Sequence, residues 1–266
     1  MARDLLQSSP TASRAGHSEQ EEGAEGEGYA YSARPRNPLR VMLALWRVTR
    51  DLQNTYEAGI VEIAFARWRL ARRFARWDRV IADICRDPGV REAFEQRCPL
   101  GWIDVDALAK LPRGTLGRVF ATHLRANGLD PNLIQIPVED DVSYLLQHLY
   151  QTHDVWHVVS GCGNDEPGEF AVGGFYAAQL GAPFFAFLLG LAFFNTAFAK
   201  PLQLRPRLEG LAKGYLAGQM AKPLFGTDWT ELWAVPLEEV RRDLGLDPHP
   251  AYAGKGVLHE ADGGRA

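Results

Sequence analysis

Residues 153–169 read His-Asp-Val-Trp-His-Val-Val-Ser-Gly-Cys-Gly-Asn-Asp-Glu-Pro-Gly-Glu. The first five extend a helical pattern running from Glu139 to Val159, in which Val142, Leu145, Leu146, Leu149 and Trp156 face inward. Gly161 to Gly168 then reads as a glycine- and acid-rich turn, and Glu169 opens the next helix. At about 100° per residue, with His153 at zero, His157 falls at about 40° and Asp154 at about 100°. The three polar groups therefore share one side of a helix, and a hairpin through the turn folds Glu169 back over them. Imidazole nitrogen suits zinc or iron, and carboxylate oxygen suits nearly any divalent cation. His153, Asp154, His157 and Glu169 are thus the candidate ligands. The bland alternative is a pair of histidines hydrogen-bonded near a helix end. The HExxH pattern of zinc peptidases fits less well, because Asp is one methylene shorter than Glu, though Asp154 then remains available to orient a ligand. The turn is no phosphate cradle: it lacks a Lys-Ser/Thr ending and carries Asp165 and Glu166.

Outward from this stretch the pattern stays helical. Leu70, Phe74, Trp77, Ile81 and Ile84 make one apolar stripe in the segment Leu39 to Asp87. Asp104 is placed to cap Val105 to Leu111, and Thr115 to cap Leu116 to Asn127, with Gly128 as the C-cap. Phe170 to Lys200 is very apolar and is interrupted by Pro183. About 20 apolar residues suffice to span a bilayer, but the internal glycines, Gln179, Pro183 and Asn195 favour a buried or membrane-dipping helix pair. Later helices fall around Leu208 to Gln219 and Leu237 to Leu244. Strand alternation and repeats are absent, so the expectation is one all-α domain over residues 37–248, with a very apolar central helix and a loose tail at 249–266.

Composition bounds the function. The 266 residues, 46% of them hydrophobic, supply enough apolar surface for a core without staples. Cys85, Cys98 and Cys162 have no CxxC spacing and read as reduced thiols. Residues 1–36 read as a disordered acidic tail: His17 to Gly28 holds five glutamates, three glycines and no large apolar residue. That stretch has no signal-peptide core, and its acidity argues against a mitochondrial transit peptide. A net charge of −4 speaks against nucleic-acid binding. Arg67, Arg69, Arg72, Arg73, Arg76 and Arg79, interleaved with Phe65, Trp68, Phe74 and Trp77, form either a membrane-surface helix or a solvated basic face over a core stripe. His123 and His148 read as structural, and Cys162 as a bystander.

The His-Asp-x-x-His run followed by Glu after eleven residues resembles the motif of the coenzyme Q biosynthesis protein 4 family. Gly114 to Arg118, Val138 to Asp141 with Tyr144, Phe175 to Pro183, and Ala221 to Phe225 with Trp229 and Val240-Arg241 resemble flanking segments of that family. The likeness runs from about Arg36 to Leu246. It implies a helical fold, a peripheral place on the cytoplasmic face of a bacterial inner membrane, and action on a polyprenylated quinone precursor. It further implies metal-dependent, oxidative decarboxylation at carbon one of the 4-hydroxybenzoate-type ring. His153, Asp154, His157 and Glu169 would be both ligands and catalytic groups, holding Zn2+, Fe2+ or Mg2+. Implied partners are the membrane lipid surface, other ubiquinone-synthesis enzymes and a second copy in a homodimer. The competing expectation is a non-catalytic lipid-binding scaffold that organises those enzymes.

Overall fold

The computed structural model describes residues 29–30, 77–97, 100–181 and 183–246. In chain order the helices are α1 (Trp77–Ile84), α2 (Pro88–Gln96), α3 (Val105–Leu108), α4 (Leu116–Asn127), α5 (Asp141–Ser160), α6 (Glu166–Leu180), α7 (Pro183–Phe198), α8 (Leu204–Met220), α9 (Trp229–Leu232) and α10 (Leu237–Asp243). Extended pairing among the described residues is confined to two places. Tyr29–Ala30 (β1) lies parallel to Ile134–Gln135 (β2), and Thr115 bridges Pro236. The class is all-α. The expectations for the acidic stretch His17 to Gly28, for Arg67 to Arg76 and for the C-terminal tail fall outside the described residues.

The middle of the molecule is α5. Its start is set locally: Asp140 accepts from the Ser143 backbone N–H at 2.9 Å, while Ser143 Oγ accepts from the Asp140 N–H at 2.8 Å. This reciprocal cap satisfies two donors that the first turn leaves open. Tyr144, Leu145, Val155, Trp156, Val158 and Val159 are each no more than 1% exposed, so the helix is buried nearly all round. Its far end is set from a distance. The Arg241 guanidinium on α10 donates to the carbonyls of Val158 and Val159 at 2.9 and 3.1 Å, two of the last acceptors of the helix.

The very apolar stretch does form a helix pair, because Gly181 closes α6 in the left-handed region and α7 starts at Pro183. Its second helix, however, is peripheral, and the central position belongs to α5. Along α7, Ala186, Gly190, Phe194 and Phe198 form an exposed row, while Asn195 and Thr196 are buried. Those two polar groups take the buried Arg207 guanidinium of α8, which also reaches the Glu166 carboxylate at 2.6 Å and lies over the Phe170 ring. A buried guanidinium needs such partners, since an unpaired charge there costs several kcal/mol. No helix among the described residues is long and apolar enough to cross a membrane.

The most extensive helix contact joins α6 to α8. Gly210, Gly214 and Gly218 form one row on α8 and face Pro167, Ala171 and Phe175 of α6. A Cβ at Gly214 would run into the Ala171 carbonyl, and one at Gly210 into that of Pro167. Small residues every fourth position let two backbones approach this closely. The spacing is visible in the sequence; the helix it seats against is not.

Two helix starts differ from expectation. Thr115 precedes α4 as expected, but its hydroxyl donates to the Pro112 carbonyl and makes no cap. The first α4 N–H groups go instead to the Val235 and Trp233 carbonyls, both at 2.9 Å. Asp104 does cap α3, yet the helix ends at Leu108 and tightens into i+3 turns ahead of Pro112, a residue that disfavours helix before it.

Candidate metal centre

His153 and His157 lie one turn apart on α5, and Glu169 stands in the first turn of α6, held there by Asp165, which caps the helix by accepting from Gly168 N–H at 3.0 Å. The loop between the helices is only Gly161 to Asp165, so α6 returns alongside the end of α5. Nε2 of His157 sits 3.2 Å from Nε2 of His153 and 3.4 Å from Oε1 of Glu169. Nε2 of His153 is 3.6 Å from Oε2 of the same carboxylate. His157 is buried, whereas the side chains of His153 and Glu169 are 36% and 42% exposed, so the cluster opens to one side. Asp154 is half-buried and its carboxylate lies outside this three-membered cluster.

The hydrogen bonds decide what the cluster can hold. Nδ1 of His157 faces the Cys162 carbonyl at 3.1 Å. A carbonyl only accepts, so Nδ1 carries a proton, and in the neutral ring Nε2 then offers its lone pair. That lone pair points at a second imidazole nitrogen and at a carboxylate. Burial pushes the Glu169 carboxyl up, but the hydrogen bonds and charges of His157 and His153 outweigh it and hold the group well below the usual carboxylate range. Acceptors gathered in this way need a positive charge among them, either a proton or a cation. Tetrahedral bonds of about 2.1 Å place ligand atoms about 3.4 Å apart. The observed separations of 3.2, 3.4 and 3.6 Å match that edge, so the residues present fit a divalent cation.

Surrounding groups add to the site. Tyr176 Oη lies 3.0 Å from Nδ1 of His153. His123 on α4 stacks behind His157 with ring centroids 6.2 Å apart, and its ring nitrogens have no hydrogen-bond partner among the described residues. Burial pushes His123 down to about 4, against a smaller upward pull from Asp154, so it stays neutral at neutral pH. Burial likewise pushes the Cys162 thiol up to about 11. The contribution of Cys162 to the site is its carbonyl, which no side-chain motif could have signalled. Tyr176, six residues past Phe170 in the apolar stretch, carried no sign of a role at the site either.

A helical hairpin that presents two histidines and a glutamate from adjacent helix ends defines a class: an all-α protein with a candidate divalent-cation site between α5 and α6. The family model described as coenzyme Q (ubiquinone) biosynthesis protein Coq4 matches residues 71–250, and the chain belongs to that family. The mitochondrial ubiquinone biosynthesis protein COQ4 of Eremothecium gossypii is 35% identical over 56% of this chain and 46% of its own length. The rat COQ4 homologue is 27% identical over 63% and 64%. The matched part thus spans roughly half to two thirds of those relatives. A crystal structure of a protein assigned to ubiquinone biosynthesis, from Nostoc punctiforme, superimposes with a TM-score of 0.66 at 27% identity, covering 80% of this chain and 99% of the other.

Proposed function

We propose that this chain is a peripheral membrane enzyme of ubiquinone synthesis. In this reading it removes the carboxylate at carbon one of a polyprenylated 4-hydroxybenzoate-type ring at a divalent-cation centre. His153, His157 and Glu169 hold the cation, zinc by the chemistry of the donor set or Fe2+ or Mg2+ in its place, and Asp154 adds negative charge beside them. The observation that carries the reading is the geometry at His157: Nδ1 faces the Cys162 carbonyl at 3.1 Å, and Nε2 lies 3.4 Å from Oε1 of Glu169, a tetrahedral-edge distance. When bound, the cation supplies Lewis acidity toward a ring carboxylate or phenolate. As carbon dioxide leaves, the bond's electron pair remains on ring carbon one. A proton takes it up in simple decarboxylation; an oxygen atom does so in the oxidative version, which requires dioxygen and a two-electron reductant. The protein's part is to orient both imidazoles, to leave the side near Glu169 open for the ring, and to offer apolar helix surface to the prenyl tail.

The exposed apolar rows of α7 and α8 also favour the second reading, a lipid-holding scaffold on which other synthesis enzymes assemble, with the metal serving structure. A Glu169→Gln substitution separates the two. The variant keeps size and most hydrogen bonding but removes one negative charge from the centre. In a quinone-deficient strain carrying this variant, lipid extracts should accumulate the carboxylated, prenylated intermediate while the protein remains folded and membrane-bound. Full quinone production by stably expressed Glu169→Gln and His153→Ala proteins would end the enzyme reading.

A further inference from the structure

Tyr176 stands at the junction of the cation centre and the apolar helix α7. Its hydroxyl is 3.0 Å from Nδ1 of His153, and its ring lies nearly parallel to that imidazole, 21° off, with centroids 5.9 Å apart. On its other sides the ring meets Trp156 of α5 at 4.4 Å and stacks on Phe185 of α7 at 4.8 Å, 15° from parallel. The residue is 5% exposed. Three aromatic neighbours therefore hold the ring regardless of what its oxygen does.

The two histidines are anchored differently. His157 is tied to a main-chain carbonyl, which admits one tautomer. His153 is tied to a hydroxyl, which can donate or accept. For Nε2 of His153 to offer a lone pair beside Nε2 of His157, its proton must sit on Nδ1, and Tyr176 Oη is then the acceptor. Partners behind a ligating imidazole set both its orientation and its basicity. The His153 side chain is 36% exposed, so this ring, unlike that of His157, is not held by burial alone.

We infer that Tyr176 is the positioning residue of the cation centre: its hydroxyl accepts the Nδ1 proton of His153 and so turns the Nε2 lone pair toward His157 and Glu169. This rests on the cation reading above. Through the Phe185 stack, the same tyrosine ties the centre to the start of the apolar helix, so the packing of α7 bears directly on the geometry of a ligand.

The test uses the full chain, freed of metal and titrated with Zn2+ against a chromophoric chelator. Wild-type protein should bind one equivalent. Tyr176→Phe keeps the ring and its three aromatic contacts, and it should bind Zn2+ about tenfold or more weakly, with the thermal midpoint of the metal-free protein unchanged. Histidine 15N spectra of the Zn2+-loaded forms give a signature that a purely structural role would not move. His153 should show a single Nδ1-protonated form in the wild type and a mixture in Tyr176→Phe. Unimpaired Zn2+ affinity with an unchanged His153 tautomer in Tyr176→Phe would overturn the inference while leaving the cation reading intact. Absence of stoichiometric Zn2+ binding by the wild type would overturn both.

Discussion

Helices α5 and α8 turn their large apolar side chains in opposite directions. In α5 the large side chains point inward, with Trp156, Tyr144, Leu145 and Val155 filling the core. In α8 the row pointing inward is Gly210, Gly214 and Gly218, and the row Leu204, Leu208, Ala212, Leu216 and Met220 is exposed. The first arrangement is that of a core helix in water. The second is inverted: small residues seat the backbone against α6, and the apolar bulk faces away from the protein. A contiguous apolar surface of this kind marks a site of contact with lipid or protein. The half of the molecule that carries the candidate site is therefore a packed core, and the α7–α8 hairpin turns apolar side chains outward.

The comparison breaks most sharply at the glycine row. Gly214→Val should cost about 3 kcal/mol or more, because the added carbons collide with the Ala171 carbonyl. Since α6 carries Glu169, Zn2+ binding should fall with stability. Chemical denaturation and a Zn2+ titration would check this, and a variant as stable as wild type would mean that α6 and α8 do not approach as closely as described.

The next effect concerns the buried side of α5. Burial pushes His148 down to about 4 from an ordinary value of 6.5, and its ring nitrogens have no hydrogen-bond partner among the described residues. The folded state thus keeps His148 neutral between those values, while the unfolded chain takes up a proton. Stability is undiminished above pH 6.5 and falls as pH drops toward 4, by on the order of 2 kcal/mol at pH 5. His148→Leu should flatten this part of the stability profile measured from pH 7 to 5. Parallel profiles for the two proteins would contradict the assignment. His123 is shifted the same way, but it stacks on His157, so His148 is the cleaner probe.

The smallest effect on stability, and the most informative for function, lies on the outer row. Leu208→Lys with Leu216→Lys should change stability by less than about 0.5 kcal/mol while abolishing sedimentation with lipid vesicles. A large loss of stability would instead show that another part of the chain covers this face. A loss of dimer with vesicle binding intact would assign the row to a second copy.

Much of this was legible from residue order because it depends on local rules. The Asp104 cap, the Gly128 and Pro183 boundaries and the one-turn spacing of His153 and His157 follow from bonds and rotations within a few residues. So did the proposal that Glu169 folds back, since a short turn between two helices allows little else. The sequence did not reveal the inversion of α8, because an apolar row at every fourth position reads the same whether it faces core or solvent. Thr115 looked like a cap because its competitors, the Val235 and Trp233 carbonyls, are more than a hundred residues away.

Residue order by itself determined that the chain is helical and which histidines and carboxylates share a helix side. Only the tertiary structure decided that three of the four form a cluster, which nitrogen of His157 carries the proton, and that Tyr176 stands behind His153. The reason is physical: helix periodicity is set by the backbone one turn at a time. A tautomer is set by whichever acceptor packing brings within 3.1 Å, here a carbonyl on the turn beyond a helix end that Arg241 secures from eighty residues away.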